Sequence, residues 1–151
     1  MMAISPEEDA LQFAIYREVE AHYFYKALAD RVSTPWMQKI FEELAAEELE
    51  HKAKLELEVM KTGKTVKTDL PPKVTGRQYI LSDTEAPLDM DFKDMLLLGI
   101  AKEEAAFRTY VDLSAHATDE KTRELLLSLA EEELRHKIRF EKEYEMLLQK
   151  E

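Results

Sequence analysis

The sequence predicts an all-α fold, a bundle of four helices arranged as two duplicated hairpins joined by a long crossover connection. Three observations predict it. Only 3 of the 151 residues are Gly and 5 are Pro, while 45% are apolar and 35% charged, a balance that favours long helices over sheet. Apolar residues recur by threes and fours through four long stretches, the period of a helix with one buried face. The third observation is a repeat: Leu129-Ala130-Glu131-Glu132-Glu133-Leu134-Arg135-His136-Lys137 restates Leu44-Ala45-Ala46-Glu47-Glu48-Leu49-Glu50-His51-Lys52 almost residue for residue, displaced by 85 positions, the step from His51 to His136. At 17.6 kDa the chain fits a single domain over residues 1–151, long enough to bury roughly two-thirds of the surface its unfolded form exposes.

The first helix is expected over about 6–30, with Ser5 as N-cap, Pro6 at the first helical position and Glu8 reaching back in a capping box. At about 100° per residue, Leu11, Ala14, Ile15, Ala21, His22, Tyr25 and Ala29 fall within roughly 60° of Glu18. Glu18 therefore stands in the middle of the apolar face, and Glu20 points to solvent. A second helix is expected over about 35–61, with Thr34 as N-cap and Pro35 its first residue. Its core face carries Met37, Ile40, Phe41, Leu44, His51, Leu55 and Val59. Glu47 and Glu48 both share a face with His51, but the angular centre of the apolar residues lies on the Glu48 side, about 50° from His51, and selects Glu48.

Between about 62 and 90 the helical period lapses at Gly63, Pro71-Pro72, Gly76 and Pro87, with Val74 to Leu81 read as extended. So long a connection is read as a crossover from one end of the bundle to the other. An interdomain linker is the alternative, disfavoured because neither half is able to close its own core. The third helix is expected over about 91–117, capped by Asp91-Phe92-Lys93-Asp94, with Phe92, Leu96, Gly99, Ile100, Ala106, Phe107, Tyr110 and Ser114 gathered around Glu103. The fourth, about 119–149, starts at Thr118-Asp119 and steps through Leu126, Leu129, Glu133, His136, Phe140, Tyr144 and Leu147.

Charge and composition exclude several function classes. A net charge of −11 without a basic stripe argues against a grip on nucleic acid. With no cysteine there is no disulfide, thiolate zinc site, iron–sulfur cluster or thiol nucleophile. Met1 to Glu8 lack a positive segment followed by an apolar run, and nowhere do ~18 apolar residues follow one another. A soluble cytoplasmic protein with no membrane association is the expectation.

Chemistry enters through the repeat. A glutamate three residues before a histidine on one helix face is a metal-ligand arrangement. The same shift of 85 relates Glu18 to Glu103, Glu48 to Glu133 and His51 to His136, as well as Leu11 to Leu96, Ile15 to Ile100 and Tyr25 to Tyr110. Two hairpins packed about a pseudo-twofold axis would bring the six ligand candidates together in the bundle interior. Four unpaired carboxylates there would cost several kcal/mol each, whereas two divalent cations would neutralise them. Each metal would take one imidazole and one terminal carboxylate, Glu18 or Glu103, with Glu48 and Glu133 bridging. Oxygen and nitrogen ligation without thiolate suits two Fe ions, with Mn the alternative.

This constellation resembles that of the ferritin-like di-iron and di-manganese proteins, and more closely the rubrerythrin-type branch of that superfamily. Ala14-Ile15-Tyr16-Arg17-Glu18 with Phe24-Tyr25 is similar to the family's first-helix motif, and Phe41-Glu42-Glu43-Leu44-Ala45-Ala46-Glu47-Glu48-Leu49-Glu50-His51 to its second. Glu103 and Glu133-x-x-His136 carry the likeness through the third and fourth helices; the connection is not covered. The resemblance implies a ferritin-like four-helix bundle whose di-iron centre reacts with hydrogen peroxide or dioxygen, and it too favours Glu48 over Glu47. Two departures matter. Rubrerythrins carry a further glutamate ligand three residues after the third-helix one, where this chain has Ala106, and a cysteine-ligated rubredoxin domain, for which this chain has no cysteine. Electrons for a reductase must therefore come from a separate donor protein.

Blander readings stand beside these. Either Glu-x-x-His pair alone fits a solvated i,i+3 pair, and a duplicated scaffold that has lost its metal is a metal-free structural bundle. Iron binding for ferroxidation, storage or detoxification is the rival function. Beyond the metal centre no catalytic residue is identifiable. Tyr25 and Tyr110, two turns past the terminal glutamates, are read either as hydrogen-bond partners of ligand carboxylates or as ordinary core tyrosines. His22 and His116 are read as non-ligands. Phe13, Tyr16, Val19, Tyr23 and Phe24 lie away from the metal face, which calls for a homodimer or higher homo-oligomer contact, or for burial under the connection near Tyr79-Ile80-Leu81.

Overall fold

Four helices carry the chain, α1 (Pro6–Arg31), α2 (Pro35–Lys61), α3 (Phe92–His116) and α4 (Glu120–Gln149), in a computed structural model that describes residues 6–61, 63 and 90–150. The ends differ from expectation where caps take over. Asp91 and Asp119 stand just outside α3 and α4 with extended backbone, and their side chains accept from the backbone N–H of Asp94 and Thr122. These caps satisfy donors that the first turn leaves open. Thr34 stands at the predicted N-cap position of α2, its carbonyl accepting from Gln38 N at 3.1 Å, but its hydroxyl is buried without a hydrogen-bond partner and caps no backbone N–H. Gly63, at φ 78°, donates its N–H to Met60 O beyond the end of α2, the left-handed stop that glycine provides. Ser5, Val74 to Leu81 and the rest of the expected 62–90 crossover lie outside the described residues, Gly63 and Met90 apart.

Helix directions follow from crossed side-chain contacts. Glu18 of α1 meets Tyr110 of α3, while the later Tyr25 meets the earlier Glu103, so α1 and α3 are antiparallel. On the other side Glu47 meets His136 and His51 meets Glu132, so α2 and α4 are antiparallel too. With α1 packed along α2 and α3 along α4 as hairpins, α2 and α3 are parallel diagonal neighbours. The end of α2 and the start of α3 therefore lie at opposite ends of a ferritin-like four-helix bundle. No described helix is long and apolar enough to cross a membrane.

Two apolar clusters fill the bundle ends and leave a polar middle. One holds Phe24, Tyr25, Phe41, Phe92, Leu96 and Phe140; the other holds Leu11, Ile15, Leu55, Tyr110, Leu126 and Leu129. Each fully buried Leu or Phe side chain contributes about 1.5–3 kcal/mol. The repeat is matched in volume as well as in chemistry. Phe140 occupies the position related to Leu55, and the residue that makes room for it is Gly99, related to Ala14; a Cβ on Gly99 would stand 2.7 Å from the Phe140 ring. Val19 and Phe24, expected on an outer aromatic surface, are only 4% and 2% exposed. Contact with α2 on one side and α3 on the other widens the buried arc of α1 beyond a single stripe. Phe13 does remain outside, 48% exposed beneath the Arg17 guanidinium.

Candidate metal centre

Glu18 sits at mid-length on the buried arc of α1, and Glu103 holds the related place on α3. One turn of α2 presents Glu48 and His51 on the same face, and one turn of α4 presents Glu133 and His136. All six residues are buried, none more than 7% exposed as a whole residue. Ligand atoms of Glu18, Glu48, His51 and Glu133 lie within 4.8 Å of one another, and so do those of Glu48, Glu103, Glu133 and His136. The two groups share Glu48 and Glu133 and map onto each other by the 85-residue shift.

In both imidazoles it is Nδ1 that faces inward. His51 Nδ1 lies 3.2 Å from Glu133 Oε1, 3.4 Å from Glu18 Oε2 and 3.8 Å from Glu48 Oε1. His136 Nδ1 lies 3.3 Å from Glu48 Oε1, 3.4 Å from Glu133 Oε1 and 3.5 Å from Glu103 Oε1. The rings stack 5.7 Å apart, 10° from parallel. Tyr25 donates its hydroxyl to Glu103 Oε1 at 2.6 Å, and Tyr110 donates to Glu18 Oε1, each tyrosine reaching the terminal carboxylate of the other hairpin.

The inner atoms fit a pair of cations. Glu18 Oε2, both oxygens of Glu48, Glu103 Oε2, Glu133 Oε1 and both Nδ1 atoms are buried without a hydrogen-bond partner. Isolated orphans of this kind cost about 1–3 kcal/mol each, more when charged, so seven converging on one point call for shared positive charge. Four carboxylates match the charge of two divalent ions. Without metal, protons partly fill the role. Burial opposes a charged His51, yet the Glu133 and Glu18 carboxylates outweigh it and push the ring up to about 10. His136 is likewise pushed up to about 11 against burial, by Glu103 and Glu133. Burial and the Glu133 charge raise Glu103 to about 8 and also raise Glu18, and burial with the Glu18 charge raises Glu48 well above the carboxylate range. Glu133 alone falls, to about 2, because both imidazoles overcome its burial.

Sequence reasoning passed over two features. Glu47, set aside in favour of Glu48, and Glu132, which the 85-residue shift relates to it, contact the outer nitrogens: Glu132 Oε2 lies 3.0 Å from His51 Nε2, and Glu47 Oε2 lies 2.6 Å from His136 Nε2. The signal was available, since the two obey the 85-residue shift. Glu132→Ala would remove a contact to a buried ring. The second feature is a cavity of about 160 Å³ between α1 and α3 that reaches Glu18, Glu48, Glu103 and Glu133 past Ala21 and Ala106. Glu20, expected in solvent, lines this cavity with Arg17 and Lys102. His22 and His116, read as non-ligands, stand apart from the cluster: His22 Nδ1 lies 2.8 Å from the Ala45 carbonyl, and exposed His116 meets Asp112 O.

The rubrerythrin family model matches residues 9–144. A hypothetical protein from Pyrococcus furiosus is 30% identical, with 98% of this chain and 93% of that one covered at a TM-score of 0.74. A conserved hypothetical protein from Mycobacterium tuberculosis shares the fold at 15% identity and a TM-score of 0.70, over 92% of this chain and 90% of that one. No curated protein matches the chain.

Proposed function

The chain belongs to the rubrerythrin family, and we propose that it is a di-iron oxidoreductase that reduces hydrogen peroxide or dioxygen with electrons from a separate donor protein. The observation that carries this reading is the pair of overlapping Glu₃His groups that share Glu48 and Glu133. Glu18 with His51, and Glu103 with His136, would serve one iron each, and Glu48 and Glu133 both. The chemistry supplied by two irons bound here is two-electron reduction of peroxide to water, or of dioxygen to peroxide.

The chain's own residues set the conditions for that chemistry. Glu48 and Glu133 would be shared by the two ions, and the unpartnered oxygens of Glu48 would be free to serve either of them. Tyr25 and Tyr110 keep one oxygen of each terminal carboxylate occupied. Ala106, with Ala21, lines a cavity that has room for a small molecule beside all four carboxylates. The two apolar clusters flanking the site exclude bulk water from either end.

The test is peroxide consumption by iron-loaded protein supplied with a chemical reductant. Catalytic loss of peroxide, absent from the Glu133→Ala variant, is the expected result. Iron-loaded protein that leaves peroxide and dioxygen untouched would remove the oxidoreductase reading and leave iron binding as the function.

A further inference from the structure

We infer that the cavity between α1 and α3 seats the alkyl group of a small organic hydroperoxide, so that such hydroperoxides, and not hydrogen peroxide alone, are substrates of the centre. The inference rests on the oxidoreductase reading above and names its substrate class. The cavity has two kinds of lining. Glu18, Glu48, Glu103 and Glu133 give it a polar side, with Glu18 Oε2, both Glu48 oxygens, Glu103 Oε2 and Glu133 Oε1 left without a hydrogen-bond partner. Ala21, Ala105, Ala106 and Phe24 give it an apolar one. Tyr25 and Tyr110 also line it, but their hydroxyls are already directed to Glu103 and Glu18.

Size separates the two peroxides. The cavity measures about 160 Å³, whereas a water molecule needs roughly 10–15 Å³ of such space. Hydrogen peroxide, with two oxygen atoms, therefore occupies a small part of it. An apolar cavity of about 150 Å³ takes up a molecule the size of benzene, and tert-butyl hydroperoxide has as many non-hydrogen atoms as benzene. With its peroxide oxygens toward the carboxylates, its methyl groups fall to the alanines and Phe24.

The repeat keeps this space open on both helices, because the 85-residue shift carries Ala21 to Ala106. It breaks one residue earlier, where Glu20 of α1 is answered by Ala105 of α3, so the apolar lining is broader on α3. Arg17, Glu20 and Lys102 complete the lining with charges of both signs, and a hydroperoxide is neutral near neutral pH. A passage for metal ions explains less, since alanine and phenylalanine side chains offer a cation no ligand. The reaction balances as it does for hydrogen peroxide. The O–O bond breaks, two electrons come from the reduced irons and are restored by the donor protein, and two protons from water turn the alkoxy oxygen into an alcohol and the terminal oxygen into water.

Iron-loaded protein supplied with a chemical reductant tests this, with tert-butyl hydroperoxide and hydrogen peroxide offered separately to wild type, Ala106→Leu and the exposed control Ala101→Leu. Wild type should consume both, releasing tert-butanol from the first. Ala106→Leu, which fills the alkyl seat, should slow tert-butyl hydroperoxide about tenfold or more beyond its effect on hydrogen peroxide, and the control should match wild type. Methyl spectra of alanine-labelled, metal-free full-length protein give a readout without turnover: added tert-butanol should shift Ala21, Ala105 and Ala106 and leave Ala101 in place. Consumption of hydrogen peroxide alone, equal slowing of both peroxides by Ala106→Leu, or unmoved cavity methyls would overturn the inference while leaving the oxidoreductase reading intact. Wild-type protein that consumes neither peroxide would remove that reading and the substrate inference with it.

Discussion

The Tyr25 hydroxyl donates to Glu103 Oε1 across the boundary between the two hairpins, at 2.6 Å. Tyr110 returns the contact to Glu18. Burial, then the charge of Glu103 or Glu18, holds each phenol well above its ordinary titration range, so both stay donors. Each terminal carboxylate thus has one oxygen held and Oε2 without a partner. Tyr25→Phe strips a buried carboxylate of its only tyrosine donor and should cost about 1–3 kcal/mol, read as an earlier urea midpoint with an unchanged slope. A Phe variant that unfolds with wild type would show that the hydroxyl does no structural work.

Gly99 and Phe140 make a second dependent pair. A Cβ at 99 would stand 2.7 Å from Phe140 Cε2, so Gly99→Ala should lose about 1–3 kcal/mol by overpacking despite the gain in helix propensity. Gly99→Ala with Phe140→Leu recreates the combination that Ala14 and Leu55 already form in the other half, and should recover most of the loss in thermal unfolding. An additive double variant would mean that the two positions do not compensate.

Metal-free protein should lose stability as pH rises. His51 and His136 titrate at about 10 and about 11 against an ordinary 6.5, so the stability they contribute is complete below 6.5 and lost as pH climbs through those values. Glu103, raised to about 8 from 4.5, acts in the same direction between those limits. Glu133, lowered to about 2, contributes stability above 4.5 that is lost only as pH falls toward 2. Urea midpoints of metal-free protein should therefore fall between pH 6 and pH 9, and bound metal, which replaces the protons, should flatten that decline. A rising midpoint without metal would contradict the charge assignment.

Access to the centre is expected to run past Ala106. Ala106→Leu extends a side chain into the cavity beside the carboxylates, and should leave metal content unchanged while slowing peroxide consumption severalfold. Unchanged rates would place the route elsewhere.

Much of this was legible because helical periodicity and the repeat are both local signals. The angular position of Glu18 within Leu11, Ala14, Ile15 and Tyr25 placed it in the interior, and the shift of 85 then located Glu103 without further information. What escaped depends on where neighbours lie. Glu47 gains its contact with His136 from the antiparallel approach of α4, which no spacing within α2 encodes. Val19 and Phe24 are buried because α1 has neighbours on two sides, where a one-stripe reading allows for one. The Thr34 hydroxyl forms no cap although its residue type and position are those of one.

Metal content tests the central claim most directly. Protein purified from iron-supplemented culture should contain about two Fe or Mn ions per chain, and Glu133→Ala, which removes an oxygen donor common to both groups, should lose most of both. Glu131→Ala, exposed two positions earlier on the same helix, should keep them. Wild-type protein that carries neither metal and takes up no added Fe(II) would contradict the assignment of Glu18, Glu48, His51, Glu103, Glu133 and His136 as a two-metal centre.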